Sequence, residues 1–139
     1  MTRTTVLFLC TGNSCRSQLA EALLRMKAPD QFEVFSAGLE PKGINPFAIR
    51  VMDELGVDIR GQQSTHVDEY LGRHFNFVIT VCGDADELCP QALWEHGGRK
   101  LHWPFDDPAR FVGSEDETLT VFRRTRDDIA ARIDAWLEG

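Results

Sequence analysis

The feature that most constrains this fold is an apolar strand that runs directly into a loop of small residues and then into a helix. Residues 5–9 read TVLFL, an apolar and partly β-branched run that is typical of a buried strand. Residues 10–17 read CTGNSCRS, and residues 17–26 place apolar side chains at helical spacing. The loop is therefore predicted to lie at the N-terminus of a helix.

This loop has the composition of an oxyanion-binding site. Backbone N–H groups that open a helix lack intrahelical partners, and the helix dipole adds positive potential there. Arg16 can hold two anion oxygens through its planar guanidinium, and the same surroundings favour the thiolate form of Cys10 as a nucleophile. The alternative is an ordinary turn with a buried cysteine. The predicted oxyanion-binding residues are Thr11, Gly12, Asn13, Ser14, Cys15, Arg16 and Ser17.

A second pair of thiols, Cys82 and Cys89, follows the apolar run at residues 75–81. In parallel α/β sheets, active sites collect at the carboxyl ends of strands, so these thiols are expected near Cys10. If residues 82–89 were helical, the two Cα atoms would stand roughly 10 Å apart. A disulfide needs about 4.4–6.8 Å, so the segment would have to bend or unwind. The alternatives are two free core cysteines or, less well supported by the spacing, a zinc site.

Strands alternate with helices along the rest of the chain. The pattern predicts strands at 4–9, 32–36, 75–81 and 99–103, and helices at 17–28, 46–54, 67–73 and 115–137. Such alternation is typical of a parallel sheet with helices on both faces. We expect a single three-layer α/β domain over residues 1–139 with a four-stranded parallel sheet. In the last helix, Arg123, Arg124 and Arg126 are interpreted as a solvated face.

The loop from Cys10 to Ser17 resembles the phosphate loop of low-molecular-weight tyrosine phosphatases and of the arsenate reductases built on the same fold. With Cys82 and Cys89 at the places of the redox cysteines, the chain is similar to the thioredoxin-coupled arsenate reductases almost end to end. The phosphatase branch resembles it less, because its acid loop usually reads Asp-Pro-Tyr. The other segments that carry the resemblance are Ser36-Ala37-Gly38, Gly43-Ile44-Asn45-Pro46, Thr80-Val81-Cys82, Asp84-Ala85-Asp86, Cys89-Pro90 and the run from His102 to Asp107-Pro108-Ala109.

The resemblance implies that Cys10 attacks arsenate held by the loop and Arg16, while Asp107 protonates the departing oxygen. Cys82 would then attack Cys10 and release arsenite, and Cys89 would attack Cys82. It also implies thioredoxin as the external reductant and no tightly bound cofactor, although glutaredoxin and mycothiol-linked systems exchange thiols too. Two other functions stay open: a phosphatase that uses Cys10 and Asp107 alone, and a non-enzymatic thiol sensor or oxyanion-binding module.

Several assignments near the loop have rivals. Asp106 competes with its neighbour Asp107 as the acid. Asn13 and Ser17 are expected to tie the loop down, or else to supply a left-handed turn and a helix cap. Cys15 is interpreted as a small buried hydrophobe that packs under the loop.

Some relatives in the family bind potassium, and this chain departs from their pattern. Thr65 stands where an aspartate is expected beside Asn13, Glu21 and Ser36, so a potassium ion is possible but doubtful. Asp68 could compensate only with a different loop arrangement.

The remaining features mainly exclude functions. A net charge of −7 and a pI near 5.0 argue against nucleic acid or an anionic membrane as partner. Without a long apolar stretch or a signal pattern at residues 1–3, we expect a cytoplasmic protein. We also expect a monomer. We expect no metal site. The tryptophans are interpreted as packing residues. The histidines, His66, His74, His96 and His102, are interpreted as solvated or packing residues, of which His102 alone merits inspection.

Overall fold

The computed structural model describes residues 3–95 and 97–139; the amino-terminal pattern at residues 1–2 and His96 lie outside them. Four parallel strands form one sheet in the order β2-β1-β3-β4. This is the predicted α/β architecture. The strands are β1 Thr4–Cys10, β2 Phe32–Gly38, β3 Phe77–Thr80 and β4 Arg99–His102, and the helices are α1 Arg16–Lys27, α2 Pro46–Asp53, α3 Gly83–Leu88 and α4 Glu115–Glu138.

The core lies on both faces of the sheet, because side chains alternate along each strand. On one face, the rings of Phe8 and Trp136 both pack against Trp103. On the other face, Phe35 packs edge-on against Tyr70 and Phe75. The central strand β1 is completely buried from residue 6 to residue 9, which fixes the position of the loop that follows it.

The structure corrects three sequence expectations. The helix predicted at 67–73 is a single 3-10 turn, Val67–Tyr70, and the strand predicted at 75–81 is limited to Phe77–Thr80. Arg126 does not lie on a solvated face. Its guanidinium is buried, where it donates to the Val51 carbonyl and pairs with Glu54, because α4 packs directly against α2.

The segment between the two thiols at 82 and 89 is helical. The six residues Gly83–Leu88 form α3, with Cys82 as its N-cap and Cys89 as its C-cap. In the described part of the chain, none of the helices is both long and apolar enough to cross a membrane.

Candidate active site

The loop between β1 and α1 presents its N–H groups inward because all its carbonyls are bound from outside. The segment after β2 runs beside the loop: the N–H groups of Leu39, Glu40, Lys42 and Asn45 donate to the carbonyls of residues 10, 11, 12 and 14 at 2.8–3.3 Å. None of the N–H groups of residues 11–15 donates to an acceptor within residues 3–95 and 97–139. Free donors at a helix start suit a tetrahedral oxyanion, and four of these residues, Thr11, Gly12, Ser14 and Cys15, line the cavity beside Cys10.

Asn13 and Ser17 hold this loop in place through buried hydrogen bonds. Asn13 adopts a left-handed conformation with φ of 45°, and its side-chain amide donates to Ser17 Oγ at 2.8 Å and to Ser36 Oγ at 3.0 Å. Ser17 Oγ in turn lies 3.0 Å from Cys10 Sγ. Ser17 therefore does not act as a helix cap, a position that Cys15 occupies. Both side chains are fully buried and act on the loop's shape and on the Cys10 thiol.

Gly38, at the end of β2, lies directly under the loop. A Cβ atom at this position would stand 2.8 Å from the Asn13 nitrogen and from the Thr11 carbonyl oxygen. Such contacts are closer than real side chains make, so a larger residue would push the loop outward. The close approach explains why glycine ends β2.

Arg16 is held in place by the acid loop. Its guanidinium donates to the Phe105 carbonyl at 2.9 Å and lies 3.8 Å from an Asp107 carboxylate oxygen. Asp107 also accepts from the Ala109 N–H at 3.0 Å. Asp106 and Asp107 both line the cavity, but Asp107 is the one that contacts Arg16, which favours it as the acid.

Cys10, Arg16 and Asp107 open onto one cavity of about 500 Å³. Asn13 and Ser17 are not among its lining residues. Sequence reasoning missed Lys42 and Arg110, two cations that line this cavity and have no side-chain partner within the described ranges. The sequence could have indicated Lys42, because in a parallel sheet the loop after β2, which contains Lys42, lies at the same edge as the loop after β1.

Cys82 lines the same cavity as Cys10, which brings together two of the three predicted redox thiols. Its sulfur lies 3.2 Å from Thr11 Oγ1, the hydroxyl of the residue that follows Cys10. Cys89 lies at the other end of α3 and is half-buried, outside the lining of the cavity. All four thiols are free in this form of the protein.

The other two thiols, at 15 and 89, have different surroundings. Burial raises the pKa of the Cys15 thiol far above its usual range, and the neighbouring Cys10 and Asp107 add to the effect. Cys15 is thus an inert packing residue under the loop. Burial also raises the pKa of Cys89, but the Lys100 ammonium and the Trp94 indole oppose that rise.

The residues of the doubtful potassium site are close together, yet their oxygens are already engaged. Ser36 Oγ donates to one Glu21 oxygen at 2.5 Å, and Arg25 donates to the other at 2.7 Å. The Asn13 side-chain oxygen accepts from the Thr65 N–H at 2.8 Å. Asp68 is exposed and accompanies His66, so it does not compensate. The Arg25 guanidinium supplies a positive charge beside Glu21 at this position.

His102 lies outside the cavity lining and contacts α3 instead. Its ring nitrogen lies 2.8 Å from Thr80 Oγ1 and 3.7 Å from an Asp86 oxygen. His66 caps the short 3-10 turn by accepting from the Asp68 N–H. Within the described ranges, no three or more His, Cys, Asp or Glu side chains cluster in a way that could hold a metal.

Comparison with known proteins places these features in a family. The sequence model of the low molecular weight phosphotyrosine protein phosphatases matches residues 5–139. The chain belongs to that family. Within this phosphatase family, it is 43% identical over 138 residues to an arsenate reductase from Halalkalibacterium halodurans, covering 99% of this chain and 98% of that one.

Solved structures of similar proteins agree in fold. An arsenate reductase in the phosphate binding state has a TM-score of 0.81 and 32% identity, with 97% of each chain covered. A thioredoxin-dependent arsenate reductase from Corynebacterium glutamicum has a TM-score of 0.70 and 29% identity, covering 99% of this chain and 64% of that one.

Proposed function

We propose that this protein is an arsenate reductase that passes oxidising equivalents from Cys10 to Cys82 and then to Cys89. One observation carries the proposal: Cys82 lines the same cavity as Cys10, while Cys89 lies one short helix further away. A phosphatase needs only the first thiol. The relatives that bear the name arsenate reductase support the same conclusion.

In the first step, the free N–H groups of the cavity-lining residues 11, 12, 14 and 15 and the Arg16 guanidinium hold arsenate against Cys10. The Cys10 thiolate attacks arsenic, and Asp107 donates a proton to the oxygen that leaves as water. The contact between Arg16 and Asp107 keeps the acid beside the bound anion. The product is an arsenic(V) adduct on Cys10.

In the second step, Cys82 attacks the Cys10 sulfur of this adduct. The sulfur–arsenic bond breaks, its electron pair reduces arsenic(V) to arsenic(III), and the two sulfurs form a disulfide. The Thr11 hydroxyl, 3.2 Å from Cys82 Sγ, is placed to stabilise the attacking thiolate. Arsenite leaves through the same cavity.

In the third step, Cys89 attacks Cys82 and releases Cys10 as a thiolate. The resulting Cys82–Cys89 disulfide lies toward the surface, since Cys89 is half-buried and its neighbour Leu88 is 65% exposed. A dithiol protein then reduces it by exchange. We propose thioredoxin as that reductant, a role supported by the thioredoxin-dependent relative from Corynebacterium glutamicum.

Weak hydrolysis of aryl phosphates is a second activity that the loop supports. The anion cradle, Cys10 and Asp107 form a complete phosphatase set. However, Ala109 lines the cavity where an aromatic side chain could stack on the substrate. We propose hydrolysis as a side reaction only.

We further propose that no monovalent cation is required. The Arg25 guanidinium pairs with Glu21, and the side-chain oxygens of Glu21 and Asn13 each already accept a hydrogen bond. Activity should be equal in sodium and potassium buffers of matched ionic strength. A several-fold stimulation by potassium alone would contradict this expectation. The cytoplasmic location and the monomeric state remain predictions.

The test of the main proposal is NADPH oxidation on addition of arsenate to the protein with thioredoxin and thioredoxin reductase. We expect arsenate-dependent turnover that is lost in each of Cys10→Ser, Cys82→Ser and Cys89→Ser, and retained in Cys15→Ser. Hydrolysis of p-nitrophenyl phosphate should be lost only in Cys10→Ser. Absence of arsenate turnover, together with robust hydrolysis that needs only Cys10, would make the protein a phosphatase.

A further inference from the structure

The indole of Trp94 presents an unsatisfied hydrogen-bond donor beside the last thiol of the relay. Trp94 follows the 3-10 turn Gln91–Leu93, five residues after Cys89. Its Nε1 atom is buried and has no hydrogen-bond partner within the described chain. A buried donor without a partner costs free energy, so its retention calls for a state in which it is satisfied.

The thiolate of Cys89 is the acceptor that would satisfy this donor. Cys89 is half-buried, and its thiol lies 4.0 Å from the Pro90 carbonyl oxygen, with the Trp94 indole and the Lys100 ammonium also near it. The indole N–H would stabilise the Cys89 thiolate and so lower the pKa of that thiol against the effect of burial. A neutral thiol accepts weakly, whereas a thiolate accepts strongly.

Lys100 is the second group that acts on Cys89. Its ammonium lies 2.6 Å from an Asp86 carboxylate oxygen and also donates to the Asp86 backbone carbonyl at 3.2 Å. Lys100 stabilises the Cys89 thiolate, while Asp86 opposes it by like charge. His102 of β4 contacts Asp86 and is a further titratable group near this position.

Asp86 ties α3 to the sheet in the reduced form. Its carboxylate accepts from Thr80 Oγ1 at 3.0 Å, in addition to its contacts with Lys100 and His102. With α3 helical, the Cα atoms of Cys82 and Cys89 stand roughly 10 Å apart, too far for a disulfide. The third step therefore requires α3 to unwind, and unwinding draws Asp86 away from Lys100.

We propose that Trp94 and Lys100 are positioning residues for the second thiol exchange, in which they stabilise the Cys89 thiolate as it attacks Cys82. As α3 unwinds, Lys100 exchanges the Asp86 carboxylate for the Cys89 sulfur. The new Cys82–Cys89 bond forms as the Cys10–Cys82 bond breaks, Cys10 leaves as a thiolate and takes up a proton, and no net oxidation occurs. This role in turnover rests on the proposed reductase function.

The test measures the Cys89 thiol itself and needs no arsenate. In a Cys10→Ser, Cys82→Ser background, the rate of alkylation of Cys89 by iodoacetamide, followed by peptide mapping, is recorded against pH. Trp94→Phe and Lys100→Gln should each raise the pKa of Cys89 and slow its alkylation near neutral pH about threefold to tenfold. Asp86→Asn should instead lower the pKa of Cys89 and speed its alkylation near neutral pH.

Two controls separate these effects from misfolding. Trp136→Phe changes a tryptophan that packs against Phe32, Phe77 and Trp103, away from the thiols, and should leave the profile unchanged. Circular dichroism checks that each variant is folded. In the otherwise native chain, Trp94→Phe and Lys100→Gln should also slow conversion of the Cys10–Cys82 disulfide to Cys82–Cys89.

The proposal would be overturned if neither Trp94→Phe nor Lys100→Gln changed the pH dependence of Cys89 alkylation. It would also be overturned if Asp86→Asn raised the pKa of Cys89. These outcomes are distinct from failure of the proposed function. A protein without arsenate turnover could still show the shifted pKa values of Cys89. A reductase with full turnover could show the same Cys89 pKa in every variant.

Discussion

The four cysteines have different surroundings, and those surroundings divide the chemistry among them. Cys10 contacts Ser17 under the anion cradle, Cys82 contacts Thr11, and Cys89 stands near Trp94 and Lys100. Cys15 is 3% exposed, and burial keeps its thiol neutral. Each thiol in the proposed relay has a polar partner that can stabilise its anionic form, whereas burial, with the neighbouring Cys10 and Asp107, outweighs the effect of Arg16 at Cys15.

Lys42 gives the first prediction at this scale. Its ammonium lines the cavity of a chain whose net charge is −7, and it has no competing side-chain partner within the described residues. Lys42→Ala should raise KM for arsenate about threefold to tenfold, since an exposed cation near an anion contributes on the order of 1 kcal/mol. Steady-state kinetics should show kcat changed by less than a factor of two.

Lys42→Arg keeps the charge and should restore KM. Lys27→Ala is the matched control, because Lys27 pairs with Asp134 at 2.8 Å and does not line the cavity. Equal KM values for native protein and Lys42→Ala at low ionic strength would show that Lys42 does not capture substrate.

At the scale of elements, α3 is the part that the proposed reaction must reshape. It has six residues and begins at Gly83, where an added Cβ would meet no atom within 4 Å. So short a helix is stabilised mainly by its tertiary contacts, here those of Asp86 with the sheet. The element that separates Cys82 from Cys89 is therefore one that can unwind at modest cost.

Gly83→Ala should stabilise the helical form of α3. Alanine favours a helix over glycine by up to about 1 kcal/mol, so formation of Cys82–Cys89 from Cys10–Cys82 should slow about twofold to fivefold. Quenched time points after one equivalent of arsenate, mapped by mass spectrometry, would measure the conversion. Gly61→Ala, which also adds a methyl group into open space, is the control. A faster conversion in Gly83→Ala would contradict the unwinding step.

The sequence was informative about elements wherever a pattern was local. The strand–loop–helix junction at Cys10 could be predicted, because it follows from spacing within a few residues. The helix between Cys82 and Cys89 was not among the predicted helices, because a helix there was considered only as a condition for the distance between the two thiols. The contribution of Lys42 could not be read in that way, since it depends on how the segment after β2 lies beside the loop. Arg126 was misassigned for the same reason: its burial is set by Glu54 and Val51 on another helix.

For the whole molecule, the parallel sheet is what assembles the site. The loops after β1, β2 and β3 and the segment after β4 all reach one edge and supply Cys10, Lys42, Cys82 and Asp107 to one cavity. This edge was predictable from strand order in general terms. The contact between Arg25 and Glu21 was not, because it depends on where a long side chain from α1 turns within the folded chain.

Glu54 links α2 to α4 and makes stability depend on pH. Hydrogen bonds from Arg123 and then Arg126 hold the pKa of Glu54 below its ordinary 4.5. A carboxyl with a lowered folded-state pKa stabilises the protein fully above about pH 4.5 and loses that contribution as the pH falls through the folded value. The melting temperature should thus fall between pH 5 and pH 3, and fall less steeply in Glu54→Gln.

Differential scanning calorimetry at a series of pH values measures this dependence. Glu87→Gln, an exposed change on α3, is the control and should follow the native curve. Identical pH dependence in the native protein and Glu54→Gln would show that the contact between α2 and α4 has no electrostatic part.

The most direct test of the relay is a single turnover by Cys89→Ser. With one equivalent of arsenate and no external reductant, we expect one arsenite released per protein and a Cys10–Cys82 disulfide found by peptide mapping. The variant should then stall, even when thioredoxin and thioredoxin reductase are added. Multiple turnovers by Cys89→Ser with that reductant, or arsenite release without a Cys10–Cys82 disulfide, would contradict the account.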